Sequence, residues 1–379
     1  MKLLYLLNSA DLAGAEPCLL RLVSEIKVGG IHNVAVLNAE EGILNDKLRK
    51  LGITVYVQPS VHVKKIYKLS EIVKLVKNIY AFRRIVNIEE PDVIHAFTLP
   101  LARRVILFRI IGISKPVIGT IHDALTVKSF GWRKVKMFTF SINRFYDKLI
   151  SVSDSTKQIA INSGIHREKI VTIYNGLPIL NNRDQNIELL EYTIGYFGRI
   201  THGKGQHILL EAVNLLKDII PNLRCLIVGM AAFGIKGSEN YYKSLKEFVL
   251  INKISRNVEF IEWTEDINYY YERLNVHVLT SIIPDSFPTV NLEAMMHHKP
   301  VIAVNIGGSK EQIIDGVTGF LIEPGSSSIL AEKIKFLYDN SLLARKMGEA
   351  GYERVITEFS MNKYVTQHLD LYRKCVAYP

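Results

Sequence analysis

Residues 279–324, LTSIIPDSFPTVNLEAMMHHKPVIAVNIGGSKEQIIDGVTGFLIEP, carry the signals of strand, loop and helix in turn. A buried strand, VHVLTS, runs into a loop holding Pro284 and Pro288. A short helix (TVNLEAMMHH), a second buried strand (PVIAVN) and a Gly-Gly loop opening another helix follow. This is the rhythm of a parallel sheet, which binds ligands in the loops beyond the carboxyl ends of its strands. Asp285 stands in the first loop, and Glu293 follows after seven residues, about one turn into the helix. Two carboxylates therefore border a helix N-terminus whose amides at Thr289, Val290 and Asn291 can accept a phosphate. Taken alone, the same residues also fit a first-turn acid favoured by the helix dipole and an ordinary loop aspartate.

Outward from this stretch the rhythm continues. The first half reads KLLYLL, a helix from about Ala15, VAVLN, a helix from about Ile43, TVYVQ, a long basic helix near 70–88 and DVIHAF. It goes on with a helix from about Leu99, PVIGTIHD, a basic aromatic helix near 132–146, KLISVS, a short helix and IVTIYNG. Residues 177–192 dissolve into polar, Asn-rich sequence and read as a linker. A new sheet starts at TIGYFGR, with a helix from about Lys204, RCLIVG, a helix near 241–252, VEFIEW and a short helix near 267–273 leading back to the opening stretch. The expectation is α/β: two Rossmann-like, doubly wound domains over 1–178 and 190–359, with a last helix within 360–379.

At 379 residues, 48% hydrophobic and 22% charged, the chain is long enough for two cores. Cys18, Cys225 and Cys375 are too few and too scattered for a disulfide framework or a zinc site, which points to a reducing cytoplasm. The opening MKLLYLLNSADLAGA has too short an apolar run for a signal peptide, and residues 99–113 carry Arg103, Arg104 and Arg109 and are too short to span a membrane. Of the net charge of +10, residues 61–150 hold 17 Lys plus Arg against 6 Asp plus Glu, 17 − 6 = +11, so the remainder is near neutral. Nucleic acid, an anionic membrane surface, a charged acceptor or plain solvation each fit such a patch.

Chemistry gathers at a second strand-to-helix junction, where Gly198, Arg199, Gly203, Lys204 and Gly205 follow the strand TIGYF. Glycines admit a ligand close to the backbone, and a helix N-terminus with two cations favours a diphosphate. No GxxxxGK[ST] P-loop, no GxSxG nucleophile motif and no pair of aspartates two apart occurs, and His297-His298 lacks a third zinc ligand at helical spacing.

Acid, seven residues, acid, then EAM, PVIA, GG, Glu and a GxLI strand resembles the donor site of family 4 glycosyltransferases, which have the two-domain GT-B fold with a cleft between the domains. GR, KG and LLEA at 198–212 resemble that family's diphosphate-binding segment. The resemblance implies that Asp285 contacts the transferred sugar, Glu293 holds the ribose, and Arg199 and Lys204 neutralise the leaving diphosphate. It implies that Gly198, Gly229, Thr289 and Val290 lie against the donor, and that His122, at the end of VIGTIH, faces the cleft near the sugar. Gly14 matches the family's Gly-rich opening loop only in part, since Ala13 replaces one glycine, and Trp263 sits where it can flank the base or simply end a strand. Asp285 stands where the family usually has Glu, and His297 and His298 stand where it has small residues and Gly.

The resemblance further implies a retaining transferase, independent of metal and of any cofactor beyond its nucleotide-sugar co-substrate. A hexose or N-acetylhexosamine would move, with a UDP-sugar favoured, to a glycan or lipid-linked acceptor in bacterial surface polysaccharide or lipopolysaccharide synthesis. The last helix would cross back onto the first domain. Partners would be the donor, the acceptor and an anionic membrane, not nucleic acid, with the protein peripheral on the inner face of the cytoplasmic membrane. A non-catalytic nucleotide-sugar or glycan-binding subunit and a GT-B nucleotide-sugar epimerase are the alternatives.

Overall fold

A computed structural model describes residues 1–11, 14–30, 32–58, 69–98, 109, 112–122, 131–180, 191–231, 235–262, 264 and 266–377. Trp263, residues 59–68 at the start of the basic segment and most of the 99–113 run lie outside them. The chain divides into two compact units, Met1–Gly176 with Met361–Pro379, and Leu177–Ser360.

The first unit is built on a seven-stranded sheet of β1 (Lys2–Leu6), β2 (Asn33–Asn38), β3 (Thr54–Val57), β4 (Val93–Ala96), β5 (Val117–Ile121), β6 (Lys148–Ser151) and β7 (Ile170–Thr172), in the order β3-β2-β1-β4-β5-β6-β7. Every pairing is parallel. The strands are apolar at nearly every position because both faces are covered, as parallel sheets require. Alternation then sorts the side chains. Leu3, Tyr5 and Leu7 pack with Leu19, Leu22 and Val23 of the helix Glu16–Val28 and with Tyr364 and Tyr372 of the helix Met361–Ala377. Leu4 and Leu6 share the opposite core with Phe82, Ile142 and Tyr146.

The second unit repeats the plan with β8 (Tyr192–Phe197), β9 (Leu223–Val228), β10 (Val258–Ile261), β11 (Val276–Leu279), β12 (Val301–Val304) and β13 (Gly319–Ile322), in the order β10-β9-β8-β11-β12-β13, again all parallel. Strand order reverses between β8 and β11, and the carboxyl ends of the strands at such a reversal are the usual ligand position in such sheets.

Two local expectations change. The helix after the Gly-Lys-Gly segment begins at Gln206, not Lys204, because Gly205 adopts a left-handed φ of +69° and closes a 3-10 turn over His202–Lys204 first. Lys204 is thus a loop residue, and no first-turn helix position explains it. The helix opened by Gly307-Gly308 is a single turn, Ser309–Gln312.

Candidate functional site

The site at β8 and β11 is assembled by backbone before any charge is considered. After β8 and β9 the two loops run side by side, with the Gly198 N–H donating to the Val228 carbonyl at 3.0 Å and the Ile200 N–H to the Met230 carbonyl at 2.8 Å. Gly229, at φ +151°, lies so close that a Cβ there would come within 2.0 Å of the Gly198 carbonyl oxygen. The loop after β8 then folds onto the end of β11: the Gly203 carbonyl accepts from the Ile282 N–H at 2.9 Å, and a Cβ on Gly205 would meet the Thr280 carbonyl at 2.2 Å. The β12 loop closes the other side, with the Gly308 N–H on the Asp285 carbonyl at 2.7 Å.

These anchors bring Lys204 and Asp285 together, and the Lys204 ammonium donates to the Asp285 carboxylate. Both side chains keep some exposure, 20% and 25%, so the pair is reachable from solvent. The sequence had given them separate partners, diphosphate and sugar; the structure makes them partners of each other. Arg199 is exposed, and its carbonyl is fixed by the side-chain amide of buried Gln206 at 3.0 Å.

The helix Thr289–Met296 starts at Pro288, which cannot donate a backbone hydrogen bond. Thr289 and Val290 are half-buried in its first turn. Of the three amides expected to face a ligand, that of Asn291 already bonds the Pro288 carbonyl at 3.3 Å. The Asn291 side chain is buried and donates to Gln312 Oε1 at 2.9 Å, while Gln312 donates to the Pro288 carbonyl at 3.0 Å. That closed ring of amides fixes the start of the helix. Glu293, a turn further on, accepts from the Tyr271 hydroxyl at 3.1 Å.

Tyr271 is the residue that sequence reading missed. It sits in the run INYYYE, where three adjacent tyrosines give no sign of which one turns inward. Its ring, fully buried, lies between Phe197, 4.0 Å away and nearly parallel, and His297 at 5.3 Å and 14°. Burial, with Lys299 and His298 nearby, pushes the His297 imidazole down to about 4, so it is neutral at physiological pH. His298 takes a φ of +56°, a conformation that suits glycine, and is held there by Glu349 at 2.8 Å and by stacking on Tyr352 at 4.1 Å. Partners on the helix Ser341–Glu358 thus offset the missing glycine.

His122 and Gly14 belong to the first unit. Gly14 has φ +77°, next to the start of the helix Glu16–Val28. His122 follows β5, its ring 4.9 Å from Phe97, with Nε2 buried and without a hydrogen-bond partner among the described residues. Burial, then His368, pushes its pKa down to about 3. At neutral pH it offers a neutral ring, suited to hydrogen bonding and not to charge stabilisation. Among the described residues no group of three or more His, Cys, Asp or Glu side chains is placed to hold a metal, and no helix is long and apolar enough to cross a membrane.

Comparison with known proteins bears on the fold and the family. Residues 13–179 match the family model described as Glycosyltransferase Family 4, and residues 180–354 match that of Glycosyl transferases group 1. A capsular polysaccharide biosynthesis glycosyltransferase, CapM of Staphylococcus aureus, is 27% identical over 62% of this chain and 66% of its own length. The uncharacterised glycosyltransferase MJ1178 of Methanocaldococcus jannaschii is 32% identical over 67% of each chain. The match thus spans about two thirds of these relatives. Among solved structures, Anabaena Alr3699/HepE in complex with UDP superposes with a TM-score of 0.86 at 25% identity, over 99% of this chain and 100% of that one. Two parallel-sheet Rossmann-like units of GT-B type, with both family regions in sequence, place this chain in the glycosyltransferases, of family 4 type.

Proposed function

We propose that the protein is a retaining glycosyltransferase that moves a hexose or N-acetylhexosamine from a nucleotide sugar, a UDP-sugar favoured, to a glycan or lipid-linked acceptor in surface polysaccharide synthesis. The observation that carries this reading is the convergence of the loops after β8, β11 and β12 on the Lys204–Asp285 pair, beside a helix N-terminus and Glu293. HepE supports the choice of nucleotide, having been crystallised with UDP and with UDP-glucose, and CapM supports the class of product.

In this reading Glu293 takes the ribose hydroxyls, and Gly198, Gly229 and the first-turn residues Thr289 and Val290 give the nucleotide close backbone approach. Lys204 and Arg199 meet the diphosphate. Charge growing on the departing diphosphate is stabilised by cations and amides already fixed in place, so little reorganisation opposes the reaction. Asp285, already held by Lys204, orients the sugar hydroxyls. Trp263 would add to the donor contacts, and in the first unit neutral His122 would donate or accept one hydrogen bond with a bound sugar hydroxyl. No metal is required, because the cations supply what a metal would.

Mass spectrometry after incubation with a panel of nucleotide sugars and glycan or lipid-linked acceptors tests this. Transfer by the parent, lowered about 10²- to 10³-fold in Lys204→Ala and Glu293→Ala with their melting unchanged, is expected for groups acting on the leaving nucleotide. Equal turnover by parent and variants removes the site assignment, and sugar interconversion without acceptor identifies an epimerase.

The acceptor side is proposed to meet an anionic bilayer. On the helix Trp132–Phe145, Arg133 and Lys136 are exposed beside Met137, 61% exposed, and Phe140, 68% exposed. Cations among exposed apolar side chains suit a bilayer interface, each nearby cation contributing about 1 kcal/mol. Sedimentation with vesicles should show binding to anionic but not neutral lipid, weakened at least tenfold by Arg133→Glu with Lys136→Glu and by high salt. Binding indifferent to lipid charge and to both changes would leave the face as solvated surface.

A further inference from the structure

We propose that Tyr271, held in the stack Phe197–Tyr271–His297, is a positioning residue for nucleotide recognition that acts through Glu293. This rests on the donor-site reading above and adds a residue to it. Three observations converge. The Tyr271 hydroxyl donates to Glu293 Oε2 at 3.1 Å and lies 3.4 Å from the Val290 carbonyl, so it contacts both the carboxylate and the helix turn that precedes it. Its ring is clamped by Phe197, the last residue of β8, directly before Gly198 and Arg199. On its other face lies His297, which directly follows the helix that carries Glu293.

One buried ring therefore links the proposed diphosphate loop to the proposed ribose carboxylate. His297 is itself fixed, with Nε2 donating to Asn268 Oδ1 at 3.1 Å, so the stack has a defined outer wall. A glutamate left to itself samples many rotamers, and a fixed donor on one oxygen removes most of that freedom. An ionised carboxylate has about four acceptor positions. In the donor-site reading this carboxylate takes a pair of vicinal hydroxyls, which a ribose presents and a dideoxyribose does not.

The test is calorimetric titration of the full chain with UDP, GDP and ADP, then with the 2′,3′-dideoxy form of whichever binds. Parent, Tyr271→Phe, Glu293→Ala and the double variant are compared, with thermal melts alongside. Tyr271→Phe keeps the ring stack and removes only the hydroxyl. It should weaken the ribonucleotide about tenfold, leave the dideoxynucleotide unchanged, and add nothing in the Glu293→Ala background. Should Tyr271→Phe fail to fold, His297→Ala opens one wall of the stack and should give a smaller loss, about threefold, again confined to the ribonucleotide. Equal loss on both nucleotides, full additivity with Glu293→Ala, or parent-like affinity overturns the proposal while the donor site stands. A parent that binds none of the three nucleotides overturns both.

Discussion

Both units reverse their strand order beside their first strand, at β1 and β4 and at β8 and β11, yet the polar groups collected near these points differ in kind. In the second unit they are ionised side chains near solvent, Lys204 paired with Asp285, on loops locked by backbone hydrogen bonds. In the first they are buried hydroxyls and imidazoles. Tyr5 and Tyr372 share a hydrogen bond of 3.1 Å, and His95 reaches Tyr372 and Thr120 at 2.7 Å each. His368 stacks on His95 at 6.0 Å. The same sheet plan thus supports a charge-bearing site in one unit and a neutral network in the other. Topology supplies the place, and the side chains at the strand ends decide the chemistry.

The sharpest way to break the second unit's half of this contrast is at Gly229. An alanine there sets a methyl group against the Gly198 carbonyl, in a backbone conformation that L residues rarely adopt. Gly229→Ala should cost about 3 kcal/mol of stability and most nucleotide binding together, since the two loops can no longer run side by side. Denaturant titration with parallel calorimetry checks this. Parent-like stability would mean that the close approach is not needed.

The neutral network makes a prediction about acid. Burial holds His95 well below the ordinary imidazole value of 6.5, His122 at about 3 and His368 at about 4, and in the second unit it holds His277 at about 3 and His297 at about 4. Below pH 6.5 the unfolded chain binds protons that the folded chain refuses, so stability is full above that pH and is lost as the pH falls towards 4. Each such histidine adds up to about 1.4 kcal/mol per pH unit in that window. The denaturation midpoint should stay level from pH 8 to 7 and fall from 6.5 to 5. A midpoint that rises in acid would mean that these imidazoles are charged in the folded state.

Much of the second unit was legible because its chemistry lies on short, sequence-local signals: a glycine-rich turn after a strand, and acids spaced around a helix start. Asp285, Lys204 and Glu293 were found that way. Their mutual arrangement was not. Lys204 meets Asp285 across 81 positions of sequence, and that depends on loops anchored by backbone contacts no motif records. Tyr271 was hidden among neighbours of its own type, and the support of His298 by Glu349 comes from a helix residue 51 positions away. The first unit offered strands and helices but few local polar motifs, since its network joins β1, β4 and β5 to a helix at the far end of the chain.

One chemical change should act oppositely in the two regions. Tyr196, at the end of β8, is completely buried, and its hydroxyl has no hydrogen-bond partner among the described residues. Burial, then the nearby Asp285 and Tyr241, pushes its pKa well above the usual phenol value, which keeps it protonated. A buried hydroxyl without a partner destabilises the fold, so Tyr196→Phe removes a liability while keeping the ring, and should raise stability by up to about 1 kcal/mol. Tyr372→Phe makes the same change where the hydroxyl contacts both Tyr5 and His95. It strands a buried hydroxyl and a buried imidazole nitrogen, and should lower stability by about 1–3 kcal/mol. Urea denaturation of both variants in one buffer gives the two signs directly. A loss in both would show that Tyr196 has a partner in solution, so that the hydroxyl stabilises the fold in both places.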